Sequence, residues 1–473
     1  MKRLDVDLCV IGAGSGGLSV AAGASQMGAK TVLIERHKMG GDCLNYGCVP
    51  SKSLLAAGHA AQSSRQAGRF GVRTGAPAVD GRLVHDHVHG VIGAIAPNDS
   101  EERFTGLGVT VIRAAARFVS EREVEAGDYR IKARRYVVAT GSAPVVPPIA
   151  GLDQVPFETN ETIFERTAVP RHLIVIGGGP IGLELAQAHR QLGSEVTVLE
   201  LFSILPKDDP ELTAILRDRL IAEGIKIREQ VRIERVDRSG AGVAVTLGGE
   251  NAGERVEGSD ILVSTGRKAN VAGLDLEAAG ITYSPKGIAV DARLRTTNKR
   301  VFAIGDVAGS YQFTHIAGYH AGIVIRNALF RLPAKVDYRA VPWVTYTAPE
   351  LAHVGMTEAA AREKGMAMRV LRWPFHDNDR AQAERQTTGL VKVIATPKGR
   401  VLGASILGPS AGELIHIWVL AIAQNLKIGA IAGMIAPYPT LGEANKRAAG
   451  SFYTPALFSP RTRRLVRFLS KFG

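Results

Sequence analysis

Two stretches of this chain repeat one pattern. "DLCVIGAGSGGLSVAAGASQMGAKTVLIE" runs from Asp7 to Glu35, and "HLIVIGGGPIGLELAQAHRQLGSEVTVLE" runs from His172 to Glu200. Each opens on a short apolar run of the kind that forms a parallel strand buried on both faces. A G-x-G-x-x-G turn follows, with Gly12, Gly14 and Gly17 in the first copy and Gly177, Gly179 and Gly182 in the second. An Ala- and Leu-rich helical segment comes next. A second apolar strand then ends in an acid, Glu35 or Glu200, 23 positions after the first glycine in both copies. The glycines allow a tight turn and bring backbone N–H groups close to a pyrophosphate. The helix N-terminus favours the anion, and the acid accepts hydrogen bonds from a ribose hydroxyl. A lone glycine turn marks little. With strand, helix and acid in place, each copy reads as a dinucleotide-binding unit. Two copies imply two dinucleotides, one of which can be a flavin.

Glu200 also bears on the nicotinamide used. A 2′-phosphate would meet its carboxylate, and Leu201, Phe202, Ser203, Ile204 and Leu205 bring no Arg or Lys to receive it. NAD(H) is expected over NADP(H).

At 473 residues the chain exceeds what one hydrophobic core usually serves, so two to four domains are expected. Hydrophobic residues at 45% and charged residues at 22% are the balance of a globular protein. The net charge of +13 suits attraction to anionic cofactors; no aromatic-basic motif or recognition helix supports nucleic-acid binding. "LDVDLCVIGAG" reads as a first strand rather than a secretory signal. The most apolar stretch, "LIHIWVLAIAQNLKIGAIAGMIAP", is interrupted by His416, Gln424, Asn425 and Lys427, so a buried helix is expected there rather than a membrane span. A reducing cytoplasm is the expected compartment.

Two of the three cysteines, Cys43 and Cys48, lie in "GGDCLNYGCVPSK". A zinc site needs about four ligands, and only Cys9, inside a buried strand, remains; no metal site is expected. An inert staple is out of place in a reducing compartment. A redox pair is left. Pro50 suits the first turn of a helix continuing through "SKSLLAAGHAA". Cys48 then stands at its N-terminus, where partial positive charge favours a thiolate. Five positions along a regular helix would hold the two sulfurs too far apart to bond. Cys43 is therefore expected in an irregular turn folded back over Cys48, for which Asn45 and Gly47 are suited.

These residues resemble the active-site motif of the class I pyridine nucleotide-disulfide oxidoreductases, the group that contains dihydrolipoamide dehydrogenase, glutathione reductase and mercuric reductase. The likeness extends through "VIGAGSGG", "ATGSAPVVPPIAGL", "VIGGGPIGLELA", "TGRKAN", "VFAIGDVAG" and, less specifically, "APELAHVGMTE". It implies an α/β fold with two Rossmann-like domains, one for FAD and an inserted one for NAD, plus a C-terminal α+β dimerisation domain. The FAD-binding domain would span 1–150 and 271–340, the NAD-binding domain 151–270 and the interface domain 341–473, with "APVVPPIAGL" as a linker. In the last, "GLVKVIATPKGRVLGASILG" alternates like a pair of antiparallel strands joined at "TPKG", and "GELIHIWVLAIAQNL" reads as a helix. The resemblance makes Cys48 the thiol beside the flavin and Cys43 the interchange thiol. It places Lys52 near flavin N5, paired with Glu184, and Asp306 on the ribityl chain. Gly41, Thr140, Gly141 and Gly266 fall in cofactor-binding segments. His315 falls where the family lays backbone N–H groups against the flavin ring, with its side chain structural.

Disulfide-reducing members carry a His-Glu pair near the C-terminus, the histidine acting across the dimer interface as acid–base. Here "PYPTLGE" keeps the acid as Glu443 but has Tyr438 in the histidine's place. A tyrosine, near 10 against about 6.5 for histidine, is a poor base at neutral pH. Mercuric reductases share the tyrosine but add a C-terminal cysteine pair, which this chain lacks. The expected activity is hydride transfer from NADH through flavin to the Cys43–Cys48 disulfide and on to a small disulfide or dithiol. A quinone or diaphorase-type reductase, or a mercuric reductase-like enzyme, is the alternative. The tail "SPRTRRLVRFLSKFG" has five basic residues, no acid, and Leu465, Phe468, Leu469 and Phe472 on one helical face. It reads either as a terminal helix packed on the interface domain or as a basic amphipathic helix touching an anionic membrane.

Overall fold

The computed structural model describes residues 1–309 and 311–472. The chain divides into two compact units, Met1–Leu201 with Arg228–Val336, and Phe202–Ile227 with the chain from Asp337 on.

The first unit is built on β1 (Lys2–Ile11), α1 (Ser15–Gln26), β2 (Thr31–Ile34), α2 (Gly41–Asn45), α3 (Cys48–Gln66) and α4 (Gly81–Ile95). Next come β3 (Thr110–Ile112), β4 (Ala116–Ser120), β5 (Glu123–Ala126) and β6 (Tyr129–Val138). These strands form one sheet in the order β3-β2-β1-β6-β5-β4, and β10 (Val301–Ala303) adds in parallel to β6. Alternate residues of β1 enter opposite cores: Cys9 and Ile11 pack on one face, Leu8 and Val10 on the other. That two-sided burial explains the unbroken apolar run. The second copy repeats the device with β7 (His172–Ile176), α5 (Pro180–Leu192), β8 (Glu195–Leu199) and β9 (Asp260–Val263), where β8 and β9 flank β7 in parallel. The α6 helix (Thr314–Ala328) follows β10.

The proline-rich connection is not wholly a linker. Ser142–Pro144 pairs antiparallel with Arg267–Ala269. Val145 N–H donates to the Gly266 carbonyl, and Thr265 Oγ1 donates to the Val145 carbonyl. The outgoing and returning passes between the two repeats are thus stitched into a short ribbon.

The second unit holds a five-stranded antiparallel sheet of β11 (Pro342–Thr345), β12 (Glu350–Gly355), β13 (Arg369–Pro374), β14 (Leu390–Ala395) and β15 (Val401–Gly408), in the order β11-β12-β15-β14-β13. The expected strand pair around "TPKG" forms, with Lys392 opposite Ser405. The expected single helix after it is broken at Ile415 into Ala411–Leu414 and α7 (His416–Ala423), whose Trp418 is fully buried and donates Nε1–H to Asn445 Oδ1 at 2.8 Å. Inside this unit Lys392 Nζ lies 2.7 Å from Asp209, 2.9 Å from Glu211 and 2.9 Å from Glu358. The helices α8 (Glu443–Gly450) and α9 (Pro460–Leu469) end the chain. The packing of the tail on its own chain does not occur: α9 has no buried residue, and Leu465, Phe468 and Leu469 are 54%, 56% and 55% exposed. Among the described residues no helix is long and apolar enough to cross a membrane.

Candidate active site

Both glycine turns stand at the carboxyl ends of the central strands. Gly12 follows β1 with φ +104°, and a Cβ there would meet the Ala139 carbonyl at 2.4 Å, so only glycine lets β1 and the chain after β6 approach this closely. A Cβ on Gly17 would strike the Gly12 carbonyl at 1.9 Å. Gly177 and Gly182 repeat these contacts against Ser264 and Gly177. The middle glycines differ. A Cβ on Gly14 would have no neighbour nearer than 4.0 Å, and one on Gly179 would meet nothing, so at both turns the space before the helix is open. Gly41, with φ +61°, closes over Gly14, where a Cβ would come within 2.7 Å of the Gly14 α-carbon. Glu35 accepts from Ala13 N–H at 2.7 Å and from His37 N–H at 2.7 Å; Glu200 accepts from Gly178 N–H at 2.6 Å. Each acid is thereby fixed beside its turn.

The cysteines sit as the sequence demands, with one difference. Cys48 is the first residue of α3. Cys43 lies on the short helix α2 rather than in an irregular turn, and the reversal falls at Tyr46 and Gly47. Asn45 holds α2 by donating to the Met39 and Gly41 carbonyls, both at 2.9 Å. The two sulfurs are free thiols here and hydrogen-bond to each other. That hydrogen bond from Cys43 is the main reason Cys48 is pushed down to about 6; the Thr314 hydroxyl and the charge of Lys52 lower it further, against desolvation. Cys43 is pushed up by the same hydrogen bond and by burial. The pair therefore gives up one proton near neutrality, and Cys48 carries the charge. Cys9, fully buried, is raised by desolvation and stays an inert thiol.

Lys52, one turn along α3, places Nζ 2.7 Å from Glu184 Oε2 on α5. Glu184 is nearly buried, so the ammonium is held on the Cys48 side of a fixed carboxylate. Asp306 is raised by burial and held by the Ser142 hydroxyl and the charge of Arg267. Thr140 Oγ1 donates to the Asn270 carbonyl at 2.8 Å, and Asn270 returns bonds to Thr140 and Gly141. His315 is exposed, its ring stacked on Phe313 at 5.2 Å.

Three contributors escape sequence reading. Thr314, at the start of α6, brings Oγ1 within 3.3 Å of Cys48 Sγ. Arg267 donates to Ser142 and lies 3.1 Å from Asp42, the neighbour of Cys43. Asn160 donates to the same carboxylate at 3.2 Å. Thr314 stands beside His315 in "FTHIAG", and nothing in that spacing ties its hydroxyl to Cys48. Arg267 lies within "TGRKAN", far in sequence from Asp42.

In the C-terminal unit Tyr438 is 70% exposed and donates its hydroxyl to Asp379 Oδ2 at 2.9 Å. That carboxylate raises its pKa, with a smaller push from Glu443, the first residue of α8.

A paired nucleotide cradle, a thiol pair at a helix start and a lysine–carboxylate pair behind it define a flavin- and nicotinamide-dependent dithiol enzyme. Comparison with known proteins agrees. Residues 6–321 match the family of pyridine nucleotide-disulphide oxidoreductases, and 341–449 match its dimerisation domain. The chain is 36% identical over 454 residues to a mercuric reductase of Streptomyces lividans, covering 94% of this chain and 96% of that one. It is 35% identical over 463 residues to a dihydrolipoyl dehydrogenase of Thermus scotoductus, covering 95% and 98%. Among solved structures, the HOCl-induced flavoprotein disulfide reductase RclA of Escherichia coli superposes with TM-score 0.85 at 28% identity, covering 93% and 99%. This chain belongs to the pyridine nucleotide-disulphide oxidoreductases, enzymes that use FAD and NAD(H). The open space at Gly14 and Gly179, the fixed acids and the partly desolvated Asp306 fit those two dinucleotides.

Proposed function

We propose that this enzyme takes electrons from NADH and delivers them through Cys43 and Cys48 to a small disulfide, which leaves as the dithiol. When bound, the flavin supplies the two-electron relay between NADH and the cysteine pair. Gly12, Gly14, Gly17, Glu35, Gly41, Thr140, Gly141 and Asp306 would hold FAD. Gly177, Gly179, Gly182, Glu200 and Gly266 would hold NAD(H), with Glu200 turning away a 2′-phosphate. Lys52, fixed by Glu184, would present its positive charge to the flavin. The reduced pair then works by exchange. Cys43 attacks one sulfur of the acceptor and expels the other half as a thiolate that takes a proton. Cys48, as thiolate, attacks Cys43, restoring the Cys43–Cys48 bond and releasing the second half. The observation that carries this reading is the lowered pKa of Cys48 beside Cys43 at the head of α3.

The dimerisation-domain match supports a homodimer; in the proposed dimer Tyr438 and Glu443 of the second copy would reach the interchange thiol. Tyr438 can donate to a thiolate but not take up its proton at neutral pH, so the exchange step is slow. Since NADH is the donor, we place the enzyme in the cytoplasm. Titrating the protein with NADH tests the thiol roles: Cys43→Ser should keep the long-wavelength absorbance of a thiolate against flavin, and Cys48→Ser should lose it. The reverse pattern exchanges the two roles, and no such absorbance in the unaltered enzyme refutes the contact.

A second reading, quinone reduction, is favoured by α9. Its exposed Leu465, Phe468 and Leu469 and its basic Arg461, Arg463, Arg464 and Arg467 make an amphipathic helix that suits an anionic membrane. Electrons would then leave the flavin directly, with no need of a histidine. Vesicle flotation decides: retention on phosphatidylglycerol vesicles that salt weakens and that removal of 460–473 abolishes supports it, and no retention at low salt rejects it. NADH oxidation against lipoamide, glutathione disulfide, quinones and Hg²⁺ ranks the acceptors.

A further inference from the structure

The sequence "HDHVHG" plays no part in the chemistry above. Helix α4 is capped by Asp80, whose side chain accepts from the Arg82 and Leu83 N–H groups. It carries His85 and His89 four positions apart, hence on one face. Their rings lie 4.2 Å apart between centroids. Glu165 comes to the same face from the 3-10 turn Ile163–Glu165. One ligand atom from each of the three lies within 4.8 Å of the other two. We propose that His85, His89 and Glu165 form a binding site for a divalent transition-metal ion.

The surroundings support this. His89 Nε2 lies 3.2 Å from the Phe164 carbonyl and 3.6 Å from the Glu165 carboxylate. A cation placed there finds an imidazole, a carboxylate and a backbone carbonyl already gathered. His85 Nδ1 lies 2.9 Å from Asp86 Oδ1, a carboxylate behind the imidazole that fixes the ring and leaves its other nitrogen to face a ligand. Two imidazoles and one carboxylate suit Zn²⁺, Cu²⁺ or Ni²⁺; Mg²⁺ and Ca²⁺ prefer oxygen alone. With bonds of about 2.1 Å, tetrahedral ligands stand roughly 3.4 Å apart. The three groups must close in slightly, and the Glu165 side chain, 56% exposed, is free to swing.

The site would act as a staple. Between the two ligands, His87 Nε2 lies 3.2 Å from the Ser53 carbonyl on α3. Tying α4 to the 163–165 turn therefore braces the helix that carries Cys48 and Lys52. Nothing in the chain order brings Glu165 to the histidines, so local spacing does not reveal the site.

The thiols would compete for the same ions, so the test uses the oxidised FAD-loaded enzyme, in which Cys43 and Cys48 are bonded to each other. Zn²⁺ is titrated by calorimetry, Cu²⁺ is followed by electron paramagnetic resonance, and the melting temperature is read with and without Zn²⁺. One ion per chain, nitrogen hyperfine coupling from two imidazoles, and a melting point raised by metal are expected. His89→Ala and His85→Ala should each weaken binding by about tenfold or more, and His376→Ala, an exposed control, should change nothing. His85→Gln with His89→Gln gives the same answer if the alanine variants lose FAD. Unchanged stoichiometry and affinity in the double variant, or no binding by the unaltered protein, overturns the proposal.

Discussion

The Cys43–Cys48 site and the Tyr438–Glu443 segment differ in how complete they are within one chain. The first is finished. Cys48 has its thiol partner, its hydroxyl donor Thr314 and the Lys52 charge, and Lys52 in turn has a nearly buried carboxylate. The second is exposed, and its hydroxyl is spent on Asp379. Under the proposed function, electron delivery is pre-organised by one chain's own packing, and proton handling falls to a surface segment whose tyrosine is poorly matched to neutral pH. The enzyme should therefore be fast at accepting electrons and slow at passing them to a disulfide.

The most severe way to break this contrast is to remove a thiol. Cys43→Ser should abolish disulfide turnover while leaving flavin reduction by NADH near its normal rate, measured by stopped flow. If disulfide turnover survives, electrons leave by another route. Lys52→Met comes next, because it strands Glu184. Lys52 is partly exposed, so solvent screens the pair, and we expect a loss of about 2 kcal/mol, roughly 30-fold in flavin reduction, rather than the full penalty of a buried ion. Tyr438→His should raise disulfide turnover about tenfold and leave quinone turnover unchanged. The smallest effect belongs to Thr314→Ala. The thiolate absorbance of reduced enzyme should fade as pH falls through about 6, since protonation removes the charge on Cys48. Losing one hydrogen bond of about 1 kcal/mol moves that midpoint up by roughly 0.7 pH units. A midpoint that does not move shows Thr314 to be a bystander.

Local spacing carried much of this into the sequence. The two glycine turns, their acids and the helix start at Cys48 are set within about thirty residues, and strand period and turn chemistry decide them. Lys52 with Glu184 was legible only through resemblance, since the partners are 132 positions apart. Thr314 lies 266 positions from Cys48, and Arg267 reaches Asp42 only because the two passes between the repeats pair as a ribbon. Such contacts follow from topology, which no local pattern encodes. At the tail, amphipathic spacing fits either packing on the interface domain or contact with an anionic membrane, and α9 has no buried residue within the chain.

Fast electron entry and slow disulfide exchange separate in anaerobic stopped flow on the unaltered enzyme, mixed first with NADH and then with lipoamide or glutathione disulfide. The NADH half-reaction should outrun steady-state turnover, and the second half-reaction should equal it. A second half-reaction as fast as the first, unimproved in Tyr438→His, would show that another group moves the proton and that Tyr438 does not set the rate.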